Sequence, residues 1–418
     1  MAHESPSLRT LESELVRWLL DNQDPSGGWG EHKGGALSTF NTGEAVMALA
    51  VADPTDAENI QPAIRRAVRF LLKERDSHPL LQPDSAAWYR TARVHGEEHR
   101  AADIIRTAII TGALSKAGED QRTLASAVDW IVKRQNPDFG WGYQRGTETK
   151  ILPTSFALLA LISVSHPHDK SSASESVEKG LQHLSQKLRN KEGSFGTGLL
   201  TAAHTIYATL VLQAARKREF STVSQCENGA IKWLLKNQDE ALAPVEEFIE
   251  IDAEGATNYL FMFSMEALLL RVLANSQDDA HRRTRLWLDT QRSMHGALDE
   301  NTGGFYGRRV FSWSTANGLY AIRCSEEKLD AIPRREPEED VPGGGVKVGY
   351  AIMMFALVLV VVTVYLTNAG KFGTLQAGFF GGLVLACLVA YRAIGELTFK
   401  ELVSSLVSPL KKETGKTE

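Results

Sequence analysis

The chain has 418 residues, with 46 Lys and Arg against 51 Asp and Glu and a formal net charge of -5. That balance carries no polyanion-binding signature, so nucleic acid is not expected as a partner. Its three cysteines, Cys226, Cys324 and Cys387, lie far apart without CxxC or zinc-finger spacing, which points to a reducing compartment and against a disulfide scaffold.

The N-terminus, MAHESPSLRTLESEL, has no apolar stretch, and no secretory signal is expected. One pattern then recurs. Trp18 is followed by Gln23 and Gly27-Gly28-Trp29-Gly30; Trp130 is followed by Gln135 and Phe139-Gly140-Trp141-Gly142. Trp233 precedes Gln238, and Trp287 precedes Gln291 and Gly303-Gly304-Phe305-Tyr306-Gly307. Degenerate copies start at Phe70 and at His183, the latter ending in Gly193-Ser194-Phe195-Gly196. A near-constant period is the mark of one structural unit copied. Each anchor sits on an amphipathic helix, as Leu11, Leu15, Trp18 and Leu19 show. A second, more apolar helix rich in small residues follows in each copy, over 40–52, 101–116, 152–164, 201–214, 257–274 and 311–324. Six polar-faced helices alternating with six buried ones predict an all-α (α/α)6 toroid of six helical hairpins over residues 1–332, the second helices forming the inner barrel. The glycine-aromatic turns have a structural role in this reading: glycine takes the positive φ past a helix end, the ring stacks on a neighbouring repeat, and the Gln amide bonds backbone groups.

Residues 333–346 are a Pro, Gly and charge-rich linker. Residues 348–367 and 372–391 carry no charge and are each long enough to cross a hydrocarbon core, so 347–392 reads as a transmembrane hairpin. Arg334, Arg335 and Lys347 precede it and Arg392, Lys400, Lys411 and Lys412 follow, against Lys371 alone in the turn. This bias predicts an integral membrane protein with toroid and C-terminus on the cytoplasmic side. Residues 393–418 form an amphipathic, basic tail. Gly378, Gly382, Ala386 and Ala390 make a small-residue seam on the second span, which either packs on the first span or joins two copies of the chain.

The W-x4-Q and G-x-W-G repeats with their paired helix resemble the QW repeats of the terpenoid cyclase and protein prenyltransferase superfamily, squalene–hopene cyclases included. The resemblance implies the toroid and leaves activity open. The Asp-x-Asp-Asp motif by which class II cyclases protonate an olefin is absent; the nearest segment, Glu250-Ile251-Asp252-Ala253-Glu254, departs from it at both ends. Neither Cys226 nor Cys324 has the nearby Asp of a prenyltransferase zinc site, so zinc is not expected. No cofactor is expected, the acids offering at most a hold for Mg²⁺.

In such a toroid the loops entering the inner helices line one mouth of a central cavity, where helix N-termini favour anions. A basic arc there comprises Arg90, Arg93, His95 and Arg100, then Arg145, then Arg308 and Arg309, fit for an anionic head group. An acidic set runs from Glu246 through Glu247, Glu250, Asp252 and Glu254; clustered carboxylates raise one another's pKa. Wall candidates are His204 with Tyr207, Asn258 with Tyr259, Trp313 with Asn317, Glu44, and Asp103 with Arg106. Three functions stay open: a cavity binding an isoprenoid, lipid or peptide beside the bilayer; a divergent cyclase or transferase with Asp252, Glu254 or His204 as acid or base and Tyr259 beside them; and a sensor coupled to a membrane-perturbing hairpin.

Overall fold

A computed structural model of the chain describes residues 8–52, 57–76, 87–94, 97–220, 224–243, 246–250, 258–262, 264–276 and 312–329. The expected linker, transmembrane hairpin and basic tail lie outside the described residues. Among those residues one helical stretch, Gly198–Lys217, is long and apolar enough to cross a membrane, and it is mostly buried inside the ring described next.

Outer helices are α1 (Leu8–Asp21), α3 (Ala57–Asp76), α5 (Gln121–Val132), α7 (Ser172–Gln186) and α9 (Ser224–Lys236). Inner helices are α2 (Thr39–Leu49), α4 (Ile104–Lys116), α6 (Ile151–Val164), α8 (Thr201–Lys217), α11 (Met265–Ala274) and α12 (Ser312–Leu329), with a short α10 (Gln238–Leu242) leading toward α11. Composition explains the two layers. On α1, Leu11, Leu15, Trp18 and Leu19 are buried on one stripe while Ser13 and Arg17 face solvent. On α6 no residue is charged and most of the helix is buried, as a helix packed all round requires.

The inner helices close on themselves. α2 packs on α4, α4 on α6, α6 on α8, α8 on α11, α11 on α12, and α12 back on α2. Outer helices staple successive repeats: α3 lies on α2, α5 on α4, α7 on α6, α9 on α8, and α1 on α12. The seam is bonded as well as packed. Ser312 N–H donates to the Glu31 carbonyl at 2.9 Å, and Asn317 Nδ2 donates to Glu44 Oε2 at 3.0 Å.

The recurring turns hold this arrangement by one repeated set of bonds. Gln23 Nε2 donates at 2.9 Å to the Gly27 carbonyl of its own turn and at 2.9 Å to the Ala63 carbonyl of the next outer helix. Gln135 does the same toward Phe139 and Ser176. The turn aromatic is tied by both its nitrogens: Trp141 Nε1 donates to the Ile131 carbonyl at 2.8 Å, and its backbone N–H to Thr154 Oγ1 at 3.0 Å. Trp29 repeats this with Leu19 and Thr42, and Phe195 N–H meets Thr205 Oγ1. Trp88 belongs to the same set through Leu71 and Thr107, although no glycine surrounds it in sequence. Gly27 has φ +104, and a Cβ there would stand 2.3 Å from the Arg66 carbonyl oxygen of α3. In the third repeat the corresponding position is Phe139, at φ 72 without glycine.

Two expected helix starts are displaced by strands. Tyr89–Val94 (β3) pairs antiparallel with Glu97–Ala102 (β4), so α4 begins at Ile104 instead of 101. Glu246–Glu250 (β5) pairs with Asn258–Met262 (β6), and α11 begins only at Met265. A smaller ladder joins Trp29–Gly30 (β1) to Leu37–Ser38 (β2). The physical reason for the later start of α4 is Asp103: its carboxylate accepts from the Ile105 and Arg106 N–H groups at 2.8 and 3.4 Å and caps the helix there.

Candidate functional site

A cavity of about 410 Å³ occupies the middle of the ring, within the ~300–1,000 Å³ typical of small-molecule sites. Every inner helix contributes to it. Its walls are Met47 of α2 and Val51 just past its end, Ala108, Ile109 and Gly112 of α4, Phe156, Leu159 and Ala160 of α6, and Tyr207 and Leu210 of α8. The rings of Phe156 and Tyr207 pack with centroids 5.0 Å apart and planes tilted by 47°.

The charged lining comes from the last turns of the inner helices, Lys116 of α4, Lys217 of α8 with Arg218 just past its end, and Arg271 of α11. Cations at helix C-termini complement the partial negative charge there. Arg218 Nη2 accordingly donates to the Ser163 carbonyl near the end of α6 at 3.3 Å. Arg271 stands 4.2 Å and Lys116 5.5 Å from the Tyr320 ring centroid. Burial holds the Lys217 ammonium below its ordinary pKa, aided by Arg216, Arg271 and Lys116 and opposed by Cys324. Lys217 Nζ donates to Asn275 Oδ1.

Glu44 is the acid in this lining. Its carboxyl is buried, and desolvation raises its pKa from 4.5 to about 7, with Arg271 and the Asn317 hydrogen bond acting the other way. Asn317 Nδ2 holds Oε2; Oε1 has no hydrogen-bond partner among the described residues. The arrangement is an apolar chamber with four cations toward one end and one carboxyl poised near neutrality on its wall. Such a chamber suits an amphiphile with an anionic head, and its carboxyl suits proton transfer.

The sequence-derived candidates fall differently. Asn317, Tyr207 and Glu44 line the cavity. His204 does not; it packs beneath the turn before α8, where a Cβ on Gly196 would meet its Nδ1 at 2.5 Å. Trp313 is half-buried in the first turn of α12, and its carbonyl accepts from Asn317 at 3.0 Å. Arg106 bonds Thr39 Oγ1 across to α2 at 3.2 Å, outside the lining. Arg145 is exposed in the turn before α6. Arg90, Arg93 and Arg100 sit on the β3–β4 ladder, which sets Arg93 opposite Glu98 and Arg100 opposite Thr91. Asn258 and Tyr259 belong to strand β6, where helix was expected. His95, Asp252, Glu254, Arg308 and Arg309 lie outside the described residues. The sequence analysis did not single out the basic end of the cavity; Lys116, Lys217 and Arg271 each lie in the last turn of an inner helix, and that recurrence was the available signal.

The prenyltransferase alpha-alpha toroid domain family matches residues 4–85 and 104–309, more than half of the chain. The chain belongs to this family. Among curated proteins, this toroid is 24% identical over 160 residues to a drimenyl diphosphate synthase of Streptomyces showdoensis, covering 37% of this chain and 27% of that protein. It thus spans about a quarter of the length of the curated relative it matches. Among solved structures it resembles the α-1,6-mannanase GH76A of Salegentibacter sp. HEL1_6, with a TM-score of 0.53 at 11% identity, covering 77% of this chain and 99% of that one. It also resembles a type II terpene cyclase from Scytonema bound to merosterolic acid A, with a TM-score of 0.50 at 14% identity, covering 77% and 97%. At these identities the two likenesses speak to the toroid fold alone.

Proposed function

We propose that this toroid binds an amphiphilic ligand, an isoprenoid or related lipid with an anionic head, in its central cavity, and that residues 347–392 anchor it in the membrane with the toroid on the cytoplasmic side. The observation that carries this reading is the cavity itself, apolar along its walls and lined by Lys116, Lys217, Arg218 and Arg271 toward the C-terminal ends of the inner helices. The kinship with a drimenyl diphosphate synthase supports an isoprenoid, and the uncharged stretches in 347–392 support an anchor beside the lipid pool. The test is mass spectrometry of organic extracts from the purified full-length protein. The native chain is expected to carry an anionic amphiphile that is lost in Leu210→Trp, which fills the cavity, and depleted in Lys116→Glu/Lys217→Glu. Equal lipid in all three would overturn the reading.

One observation favours a second reading, an active cyclase or transferase. Glu44 is a wall carboxyl that remains partly protonated at neutral pH, as a general acid must. In that reading Glu44 takes the role that sequence alone gave to Asp252, Glu254 or His204. Turnover of a prenyl substrate abolished by Glu44→Gln in a folded protein would support it; undiminished turnover in that variant would sink it.

A further inference from the structure

The position of Glu44 relative to the cations says more than that the cavity is basic. The charged and titratable residues sharing the cavity with Glu44 are Lys116 of α4, Lys217 and Arg218 of α8, Arg271 of α11, and Tyr320 and Cys324 of α12. α6 lines it with uncharged residues only, and no residue of α3, packed behind α2, lines it. Glu44 therefore faces a set of cations without sharing it with another carboxylate among the described lining residues. Asn317 fixes Oε2 at 3.0 Å, so Oε1 is the carboxyl oxygen of this cavity-lining residue that the Asn317 bond does not occupy.

We infer that an anionic ligand enters this cavity together with one proton, which Glu44 carries on Oε1 and offers to the ligand's anionic oxygen as a hydrogen bond. This rests on the cavity being the binding site proposed above. An ionised Glu44 draws on Arg271, the cation that an incoming anion also needs, and two anions in one water-poor chamber repel. A protonated Glu44 removes that repulsion, releases Arg271 to the ligand and adds a donor. The ligand class follows: a head that stays anionic near neutrality and accepts hydrogen bonds, such as a phosphate ester, a sulfonate or a carboxylate, on an apolar body. The titration of Glu44 near neutrality agrees with this geometry.

Isothermal titration calorimetry tests it, with the full-length chain in nanodiscs, empty discs as blank, and 2-naphthalenesulfonate as probe because its sulfonate stays ionised throughout. Titrations at pH 6, 7 and 8 in imidazole and Tris, cationic buffers of different ionisation enthalpy, report proton uptake. Affinity is expected to weaken above pH 7 by up to about tenfold per pH unit, with about one proton taken up per probe at pH 8. Glu44→Gln keeps a donor and is expected to bind without uptake and without that pH dependence. Uncharged 2-naphthalenemethanol is expected to show neither effect on the native chain. Binding that weakens in Lys217→Met but shows no pH dependence in the native chain overturns the proton coupling while the cavity site stands. Uptake that persists in Glu44→Gln also overturns it, and a probe that fails to bind the native chain overturns both.

Discussion

Replacing Glu44 by Gln should make the protein more stable, and only above the pH at which the carboxyl ionises in the unfolded chain. Burial lifts the Glu44 carboxyl from 4.5 to about 7 in the folded chain. At ~1.4 kcal/mol per pH unit, that displacement corresponds to about 3 kcal/mol. The sign is fixed by which state holds the proton. Between pH 4.5 and 7 the folded chain keeps a proton that the unfolded chain has released, so stability falls as pH rises through this window and levels off above it. Gln carries no such loss, and its amide oxygen still accepts from Asn317. The variant should match the native chain near pH 4.5 and exceed it by up to about 3 kcal/mol at pH 8, a large share of the ~5–15 kcal/mol that holds a domain folded. Urea unfolding of both chains at pH 4.5, 6 and 8, followed by tryptophan fluorescence, measures the difference. A gap of equal size at every pH would refute the argument, because it would mean that Glu44 is ionised, or neutral, throughout.

Three further outcomes are expected. Gly27→Ala, with φ +104 and the Arg66 carbonyl 2.3 Å from the new methyl, should cost about 3 kcal/mol or more. Gly34→Ala, with φ +73 and nothing within 4 Å, should cost only about 1 kcal/mol; thermal melts of the pair separate strain from crowding. Thr154→Val leaves the buried Trp141 backbone N–H without its acceptor and should cost about 1–3 kcal/mol by urea midpoint, while Thr154→Ser, which keeps the accepting oxygen, should lose much less. Arg216→Met strands the carboxylate of Glu227, which is 1% exposed and accepts two bonds from Arg216, and should cost about 3–5 kcal/mol. Adding Glu227→Leu to that variant should recover most of the loss in the same unfolding assay.

The ring was legible because its fastenings are local. Gln23 reaches Gly27 within four residues, and Trp141 reaches Ile131 within ten, so the same side chains recur at the same offsets wherever the unit is copied. Trp88 escaped notice because Ala86 and Ala87 stand where other copies have glycine, although its bonds are the same. The β3–β4 and β5–β6 ladders escaped because neither has an alternating apolar pattern; Arg90 to Arg100 and Glu246 to Glu250 read as charged loops. The cavity chemistry is non-local. Glu44 was visible as a wall residue, but its raised pKa comes from burial inside the closed ring, opposed by Arg271 and Asn317, which lie more than two hundred residues away. Sequence reasoning also placed the cations at the entrances of the inner helices, where the dipole favours anions, whereas those lining the cavity lie at the opposite ends.

The bonded seam between the first and last inner helices bears on how this chain is made. Glu44 meets Asn317 273 positions downstream, and α1 and α2 both bury surface against α12. At ~5–20 residues per second, a ribosome needs roughly 15–55 s to supply that partner after Glu44 itself emerges. Throughout that interval the flank of the nascent N-terminal hairpin that α12 later covers stays exposed, so a chain truncated before residue 312 is expected to aggregate instead of closing a smaller barrel.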